Sequence, residues 1–463
     1  KYEGKTKALL WSIVIIALFS VLIFRLYYLQ VIETKKYEYL SMRNFIHERV
    51  VPHYRGDIYD RHKRKVVTNK PSFNVNITPA FVRDVDRVMY RLKTFLNLSD
   101  RSFRYVRKKV LDARKKRGRS QFKPFVAFKS IDREQLALLE SHADDLPGVS
   151  IEVSYQRTYV AGKSLSHFIG YMNQIGSAEL KKRQEQYIQM KKNFDEYKQS
   201  SDLSPVALSS KEDRIARMNY LMGEMVGRKG IERQYEHYLR GINGVGEWVS
   251  DHLGRPISDE DAKKIIGDSA TSVVAPAEPG YNIVLTIDLA LQEAVDRFFP
   301  GQAGAVIVMD PNDGSILAAL SKPSLDVGFI RSQISHERLM RIHYDPLRPN
   351  INRVLENHFH PGSTFKVVTA LAALTNGVFT KRDRVHCPGY YRLGRGTWRC
   401  WKDSGHGKED MIEAIQHSCD TYFYHLGNLL GINNIADMAR QMGFGQKSGL
   451  HTITEVPGIV PDE

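Results

Sequence analysis

The sequence predicts an α+β fold in three parts. A single N-terminal transmembrane helix comes first, then a long mixed region carrying an inserted head, then a domain in which helices flank a sheet. Three observations predict it. Residues Ala8 to Phe24 form a run of seventeen without a charge. Apolar and polar residues alternate at Ser72–Ile77 and again at Val149–Tyr155, the period of a strand with one buried face. After a proline-bearing stretch at 275–280 the pattern becomes strand, helix, hairpin, helix.

The 463 residues are 42% hydrophobic and 26% charged, a globular composition with room for roughly three domains. A formal net charge of +15 points to an anionic neighbour such as lipid head groups or an acidic polymer. Zinc-finger spacing, an aromatic nucleic-acid signature and a basic helix leading into heptads are all missing, so no nucleic acid is expected as a partner.

The first apolar run is near the short end of what spans a bilayer. Lys1, Lys5 and Lys7 precede it and set that end in the cytoplasm, and Tyr27 and Tyr28 sit at the far interface. No small-x-small site precedes Arg25, so an uncleaved anchor over residues 1–30 is expected rather than a signal peptide. Residues after Tyr28 then lie outside the cytoplasm.

Val31 to His47 reads as a helix leading away from the membrane. The stretch Arg55, Gly56, Ile58, Asp60, Arg61 reads as a strand entry held by buried charge pairing, a scaffold element. Residues 82–129 are rich in arginine and lysine and mostly helical, with Phe125–Phe128 a strand. They form either a solvated face of a small inserted subdomain or a contact for anionic lipid, polymer or partner. Ile131 to Ser141 is a helix with Asp132 near its start, and Ser166 to Tyr171 reads as a strand. Ala178 to Lys198 is a polar helix. Ser200 to Asp213 is serine-rich and expected to be mobile, so 181–217 reads as an insertion. Gly230 opens a helix carrying Tyr235, Tyr238 and Leu239, and Gly246–Ser250 returns as a strand.

The main boundary is set at 275. Beyond it, Ile283–Ile287 is a strand and Asp288 can cap a helix from Leu289 to Phe299. Gly304–Met309 reads as a buried strand, turned by Pro311–Gly314 into a returning Ser315–Leu320.

Ser363 and Lys366 form a Ser-x-x-Lys sequence behind the Pro361-Gly362 turn. Val367, Val368, Ala370, Leu371, Ala373 and Leu374 supply a buried helix body, with Ser363 where the helix begins. Residues three apart share a helix face, so Lys366 lies beside Ser363. Serine needs such a neighbouring base to act as a nucleophile, and the positive helix end suits developing negative charge. A second copy, Ser120 to Lys123, precedes Pro124 in a basic, polar setting and is set aside.

Ser418, Cys419 and Asp420 follow, and an apolar helix comes after them. Ser-x-x-Lys followed by Ser-x-Asp resembles the penicillin-recognising serine transpeptidases and β-lactamases. The anchor, the Arg55 to Arg61 element, the Gly230–Gly241 stretch, Thr286-Ile287-Asp288 and the 304–321 hairpin narrow this. The chain is identified as resembling a class B penicillin-binding protein of the elongation type, penicillin-binding protein 2, over nearly its whole length.

The resemblance implies a dimerisation-type pedestal over 31–274 with an inserted head at about 80–148, then a transpeptidase domain over 275–463. It implies that Ser363 is acylated, that Lys366 is its general base, and that Ser418 relays the proton to and from the amine. Asp420 would hold the lysine and contact the substrate peptide. Most relatives carry asparagine there, and an ionised aspartate only accepts hydrogen bonds. It further implies a D,D-transpeptidase of the bacterial inner membrane that cross-links peptidoglycan stem peptides, binds β-lactams, and works with a separate SEDS-family membrane glycosyltransferase and elongation scaffold proteins. A β-lactamase or D,D-carboxypeptidase of the same superfamily, and a non-catalytic activator of a wall polymerase, are the alternatives.

The family's third motif is Lys-Thr-Gly or Lys-Ser-Gly on a strand. Lys447-Ser448-Gly449 fits those letters but follows Ser418 too closely and is rejected. The domain is therefore expected to be C-terminally incomplete, and a chain without that motif is not expected to turn over. His358 and His360 precede the serine but are not expected to act as its base. Cys387, Cys400, His406 and Cys419 have ligand chemistry suited to a structural tetrahedral zinc. A Cys387–Cys400 disulfide or free buried thiols are the alternatives, and no cofactor is expected for catalysis.

Overall fold

A computed structural model describes residues 2–34, 37, 46–115, 119–122, 124–200, 205–249, 273–325, 336–450 and 455–462. Helix α1 (Tyr2–Tyr27) continues into a π-helical turn at Tyr28–Ile32, and Ile15–Ile32 is long and apolar enough to cross a membrane. The helix expected up to His47 does not reach it. Ile46 and His47 open strand β1 (Ile46–Val51), because a later strand offers them a complete antiparallel ladder. Residues 35–36 and 38–45 of that expected helix lie outside the described residues.

Strands β2 (Ile58–Tyr59) and β3 (Lys65–Ile77) lead into the head. Its helices α2 (Val85–Phe95) and α3 (Asp100–Lys115) precede β4 (Phe125–Ile131), α4 (Arg133–Ser141) and β5 (Val149–Tyr159). Asp84 caps α2, and Asp132 with Gln135 forms a reciprocal cap on α4. Val88, Met89 and Leu92 of α2 and Phe103, Val106 and Val110 of α3 pack on Val75, Ile77 and Ile131 of the sheet.

The strand expected at Ser166–Tyr171 is instead the short helix α5 (Ser166–Ile169). Leu165 and Ile169, one turn apart, are both buried in one core, so helical spacing wins there over alternation. The strand comes later, as β6 (Met172–Gln174). Helix α6 (Ser177–Ser200) is followed by α7 (Pro205–Ala216), which takes in residues 205–213 of the serine-rich stretch; residues 201–204 of that stretch lie outside the described residues. Proline suits a first helical turn, where its missing N–H costs nothing. Strand β7 (Met225–Gly227) pairs with β6, and the helix expected from Gly230 is split at Tyr235 into α8 (Gly230–Gln234) and α9 (Glu236–Leu239). Strands β8 (Gly244–Val249) and β9 (Val273–Ala275) complete a sheet with β1.

Of the strand expected at Ile283–Ile287, β10 (Ile283–Val284) forms, parallel to β2. The sheet runs β10-β2-β3-β4, with β5 also on β3. Its centre is welded by charge. Glu232 accepts from Arg55 Nε at 2.8 Å and Arg157 Nε at 2.7 Å, and Glu236 accepts from Arg55 Nη2 at 2.7 Å, all buried. Between them Gly56 passes so close to Tyr281 that a Cβ would stand 1.9 Å from its carbonyl oxygen. Asp60 accepts from Arg64 Nε at 2.7 Å and from the Leu289 N–H at 3.3 Å, and Arg64 Nη2 reaches Asp288 at 2.9 Å. The buried pairing expected of this element is present.

Asp288 caps α10 (Leu289–Phe298), which packs on the hairpin of β11 (Gly304–Met309) and β12 (Ile316–Lys322). Strand β11 is not buried as expected: Ile307 and Met309 are exposed, because alternation turns every second side chain away from α10. Helices α11 (His336–Tyr344) and α12 (Lys366–Thr375) follow. In α12, Val368, Ala370 and Ala373 are buried, whereas Val367, Leu371 and Leu374 are exposed. Those three are spaced by four and three residues and share the other face. Strands β13 (Val385–Cys387), β14 (Tyr390–Leu393), β15 (Gly396–Arg399) and β16 (Gly407–Glu409) form two small ladders. Helix α13 (Met411–Gln416) then leads to the long α14 (Asp420–Gln441), which lies along α12.

Candidate active site

A 3₁₀ turn at Gly362–Phe365 leads into α12 and leaves Ser363 exposed, with Lys366 half-buried on the next turn. The other wall is built by α13. Asp410 and Glu413 cap its start reciprocally, and after its end Ser418 adopts φ 52°. That left-handed conformation commonly ends a helix but is usually left to glycine. Here it reverses the chain, with Ser418 N–H donating to the Ile415 carbonyl at 3.1 Å and Cys419 N–H to the Ala414 carbonyl at 2.9 Å. Asp420 then opens α14.

The four expected residues meet. Ser418 Oγ donates to Ser363 Oγ at 2.9 Å. Lys366 Nζ donates to Ser418 Oγ at 3.1 Å, to the Ser418 carbonyl at 2.8 Å and to Asp420 Oδ1 at 2.6 Å. Ser418 therefore stands between nucleophile and amine. The second oxygen of Asp420 accepts from the Trp401 backbone N–H at 3.1 Å, and Trp401 Nε1 donates to the His417 carbonyl at 3.0 Å. Sequence reasoning missed Trp401, whose bond to Asp420 comes from its backbone N–H.

The set-aside residues stay aside. His358 Nε2 lies 2.9 Å from the Pro457 carbonyl, and neither His358 nor His360 hydrogen-bonds Ser363 among the described residues. Lys447-Ser448-Gly449 lies in a loop, not on a strand, with the Ser448 N–H donating to Glu455. Ser120 sits in a 3₁₀ turn, and Lys123 lies outside the described residues.

The ligand atoms of Cys387, Cys400, His406 and Cys419 lie within 4.8 Å of one another. His406 Nδ1 is 3.6 Å from Cys387 Sγ and 3.5 Å from Cys400 Sγ. The three thiols are buried and none is in a disulfide. Burial pushes the Cys387 thiol up, but the Thr421 hydroxyl and the His406 backbone more than offset it and bring it down to about 6. Burial pushes the Cys419 thiol up. Gly405, at φ 73°, lets the two loops touch, since a Cβ there would stand 2.2 Å from the Cys387 carbonyl oxygen. Beneath, the His417 ring stacks on His406 at 5.9 Å, and His417 Nδ1 pairs with buried Glu409.

A model of the penicillin-binding protein dimerisation domain matches residues 50–285, and one of the penicillin binding protein transpeptidase domain matches 304–463. The peptidoglycan D,D-transpeptidase MrdA of Haemophilus influenzae is 29% identical over 449 residues, covering 96% of this chain and 62% of that protein. MrdA of Salmonella typhimurium is 31% identical over 457 residues, 97% of this chain and 65% of that one. The chain thus spans just under two thirds of the length of these relatives. Among solved structures, penicillin-binding protein 2 of Helicobacter pylori in complex with MreC aligns at TM-score 0.69 and 23% identity, covering 90% of this chain and 69% of that one. That likeness concerns the fold. With both domain models matched in order, the chain belongs to the class B penicillin-binding proteins, of the MrdA, or penicillin-binding protein 2, type.

Proposed function

We propose that this chain carries the acylation machinery of a peptidoglycan D,D-transpeptidase of cell elongation. The observation that carries the reading is the hydrogen-bonded series Ser363, Ser418, Lys366, Asp420. Ser363 Oγ attacks the penultimate D-Ala carbonyl of a stem peptide, and the C–N bond to the terminal D-Ala breaks. Once Lys366 has given up one proton, both hydroxyls turn to donate along the series. The proton of Ser363 then passes through Ser418 Oγ to Lys366 Nζ, whose renewed ammonium Asp420 holds, and on to the departing amine. An amine of a neighbouring stem then attacks the acyl-serine, giving its proton back along the same series. Asp420 and the Ser418 carbonyl hold the lysine in line.

The proposal extends to β-lactams as acylating ligands of Ser363, and to a SEDS-family glycosyltransferase and elongation scaffold proteins as partners. The apolar α1 supports single-pass anchoring in the bacterial inner membrane, with the bulk of the chain outside the cytoplasm. We also infer that Cys387, Cys400, His406 and Cys419 hold a structural zinc. Tetrahedral zinc with its usual Zn–S and Zn–N lengths sets sulfur and nitrogen about 3.5 Å apart, and the sulfur-to-His406 spacings of 3.6 and 3.5 Å fit it. Such a metal would hold the ligand loops together, with no part in the bond changes.

Labelling with a fluorescent penicillin tests the reading. Covalent label on the natural protein, lost in Ser363→Ala, is the expected result. No label in either would favour a non-catalytic activator.

A further inference from the structure

The proposed chemistry leaves unused a short two-stranded ribbon on the wall of the site. Strands β14 and β15 pair Tyr390 with Arg399, Tyr391 with Trp398 and Arg392 with Thr397. One face is seated on α14: the Tyr391 ring lies 6.3 Å from Tyr424 and 6.2 Å from His425. Tyr424 is one helical turn beyond Asp420. The ribbon ends at Arg399, and Trp401, two residues on, donates its N–H to Asp420. Ribbon and catalytic wall are thus one structural piece.

The opposite face carries Tyr390, Arg392 and Arg399, all exposed, and Arg395 is exposed at the tip. The Arg392 guanidinium lies over the Tyr390 ring at 5.0 Å. No carboxylate pairs with Arg392, Arg395 or Arg399 among the described residues. Arg392 and Arg399 occupy diagonal positions on one face, where side chains come within reach and like charges repel. An anion would relieve that cost, and guanidinium groups bind carboxylates through paired hydrogen bonds.

We propose that this ribbon is a docking arm for the carboxylates of uncross-linked wall peptides, holding the strand whose stem enters the Ser363 site. The inference rests on the reading of Ser363 as the acylated nucleophile. The full chain in detergent micelles would be titrated with a tagged, soluble, uncross-linked glycan–peptide strand, and with the same strand after its carboxylates are amidated. Labelling by a small fluorescent penicillin would be timed in parallel. In the triple variant Arg392→Gln, Arg395→Gln, Arg399→Gln, strand affinity should fall about tenfold. The preference for the unmodified strand should vanish, while the labelling rate stays that of wild type. The corresponding triple lysine variant should keep part of the affinity, since it retains charge but not the paired geometry. Unchanged strand affinity in the glutamine variant overturns the proposal. So does a loss of binding, in a parallel titration with anionic phospholipid vesicles, that the strand titration does not show, or a labelling rate that falls in step with affinity. If wild type takes no label, the nucleophile assignment fails, while the strand titration still decides the arm.

Discussion

Trp401 donates its backbone N–H to Asp420 Oδ2 across 3.1 Å, joining the residue after Cys400 to the residue after Cys419. Both ends of that hydrogen bond are therefore set by neighbours in the cysteine–histidine cluster. If the cluster holds zinc as proposed, a chelator should loosen Asp420 and slow acylation of Ser363 about tenfold, with a lower thermal midpoint. Elemental analysis beside stopped-flow acylation checks this. Protein that contains no zinc as purified, or acylates equally fast after chelation, would count against the bracing role.

The Lys366–Asp420 ion pair predicts a graded response at 420. Asp420 uses one oxygen for Lys366 and the other for the Trp401 N–H; Asp420→Asn keeps only one of these acceptors, because its NH2 donates, whereas Asp420→Ala keeps neither. A charge-assisted hydrogen bond contributes about 1.5–3 kcal/mol, so the alanine variant should acylate roughly tenfold to a hundredfold more slowly. The asparagine variant should fall between it and wild type. Equal rates in all three proteins would remove Asp420 from the machinery.

At Ser418 hydroxyl chemistry and backbone conformation can be separated. With φ at 52°, Ser418→Gly should fold at least as stably as wild type, and Ser418→Ala should be less stable than glycine by about 1 kcal/mol. Both lack the relay oxygen, so both should lose acylation. Thermal melts paired with penicillin labelling give the two readouts, and a glycine variant that labels normally would exclude the relay.

The buried junction predicts an acid limb in stability. Burial disfavours a charged Glu232, but Arg157 and Arg55 outweigh it and hold its carboxyl below the ordinary 4.5. A lowered folded value gives stability that is fully present above the unfolded value and is lost as pH falls through the folded one. Wild type should therefore weaken below about pH 4.5. Glu232→Gln leaves two buried guanidinium groups short of charge and should cost about 3–5 kcal/mol at neutral pH, with a flatter acid limb. Denaturant melts across pH check both.

Legibility followed the range of the interactions. The α12 start was readable because a Pro-Gly turn, a serine and an apolar run are all local, and the capping carboxylates Asp132 and Asp288 were readable for the same reason. Ser166–Ile169 was misread because a four-residue window cannot separate a helical turn from an alternating strand. The helix at Pro205–Ala216 was not anticipated, because serine content outweighed a proline at the right place. Glu232 was noticed as part of a stretch, but its partner Arg55 is 177 residues away, and nothing in spacing announces such a pair. In the site, motif letters found Ser363, Lys366, Ser418 and Asp420. The Trp401 contact runs through a backbone N–H, which any residue type supplies, so side-chain reading could not find it.

The parallel pairing of Ile283 with Ile58 has a mechanical consequence. A tug on the helix that begins at Leu289 is carried along β10 and resisted by β2 as shear, loading the Ile283 N–H to Asp57 and Leu285 N–H to Tyr59 bonds together rather than one at a time. Tension at the membrane end would thus reach the serine-bearing region through the sheet as well as through the 275–280 crossing, which the Ile242–Glu278 bridge and the Gly280 N–H to Tyr54 carbonyl bond tie down.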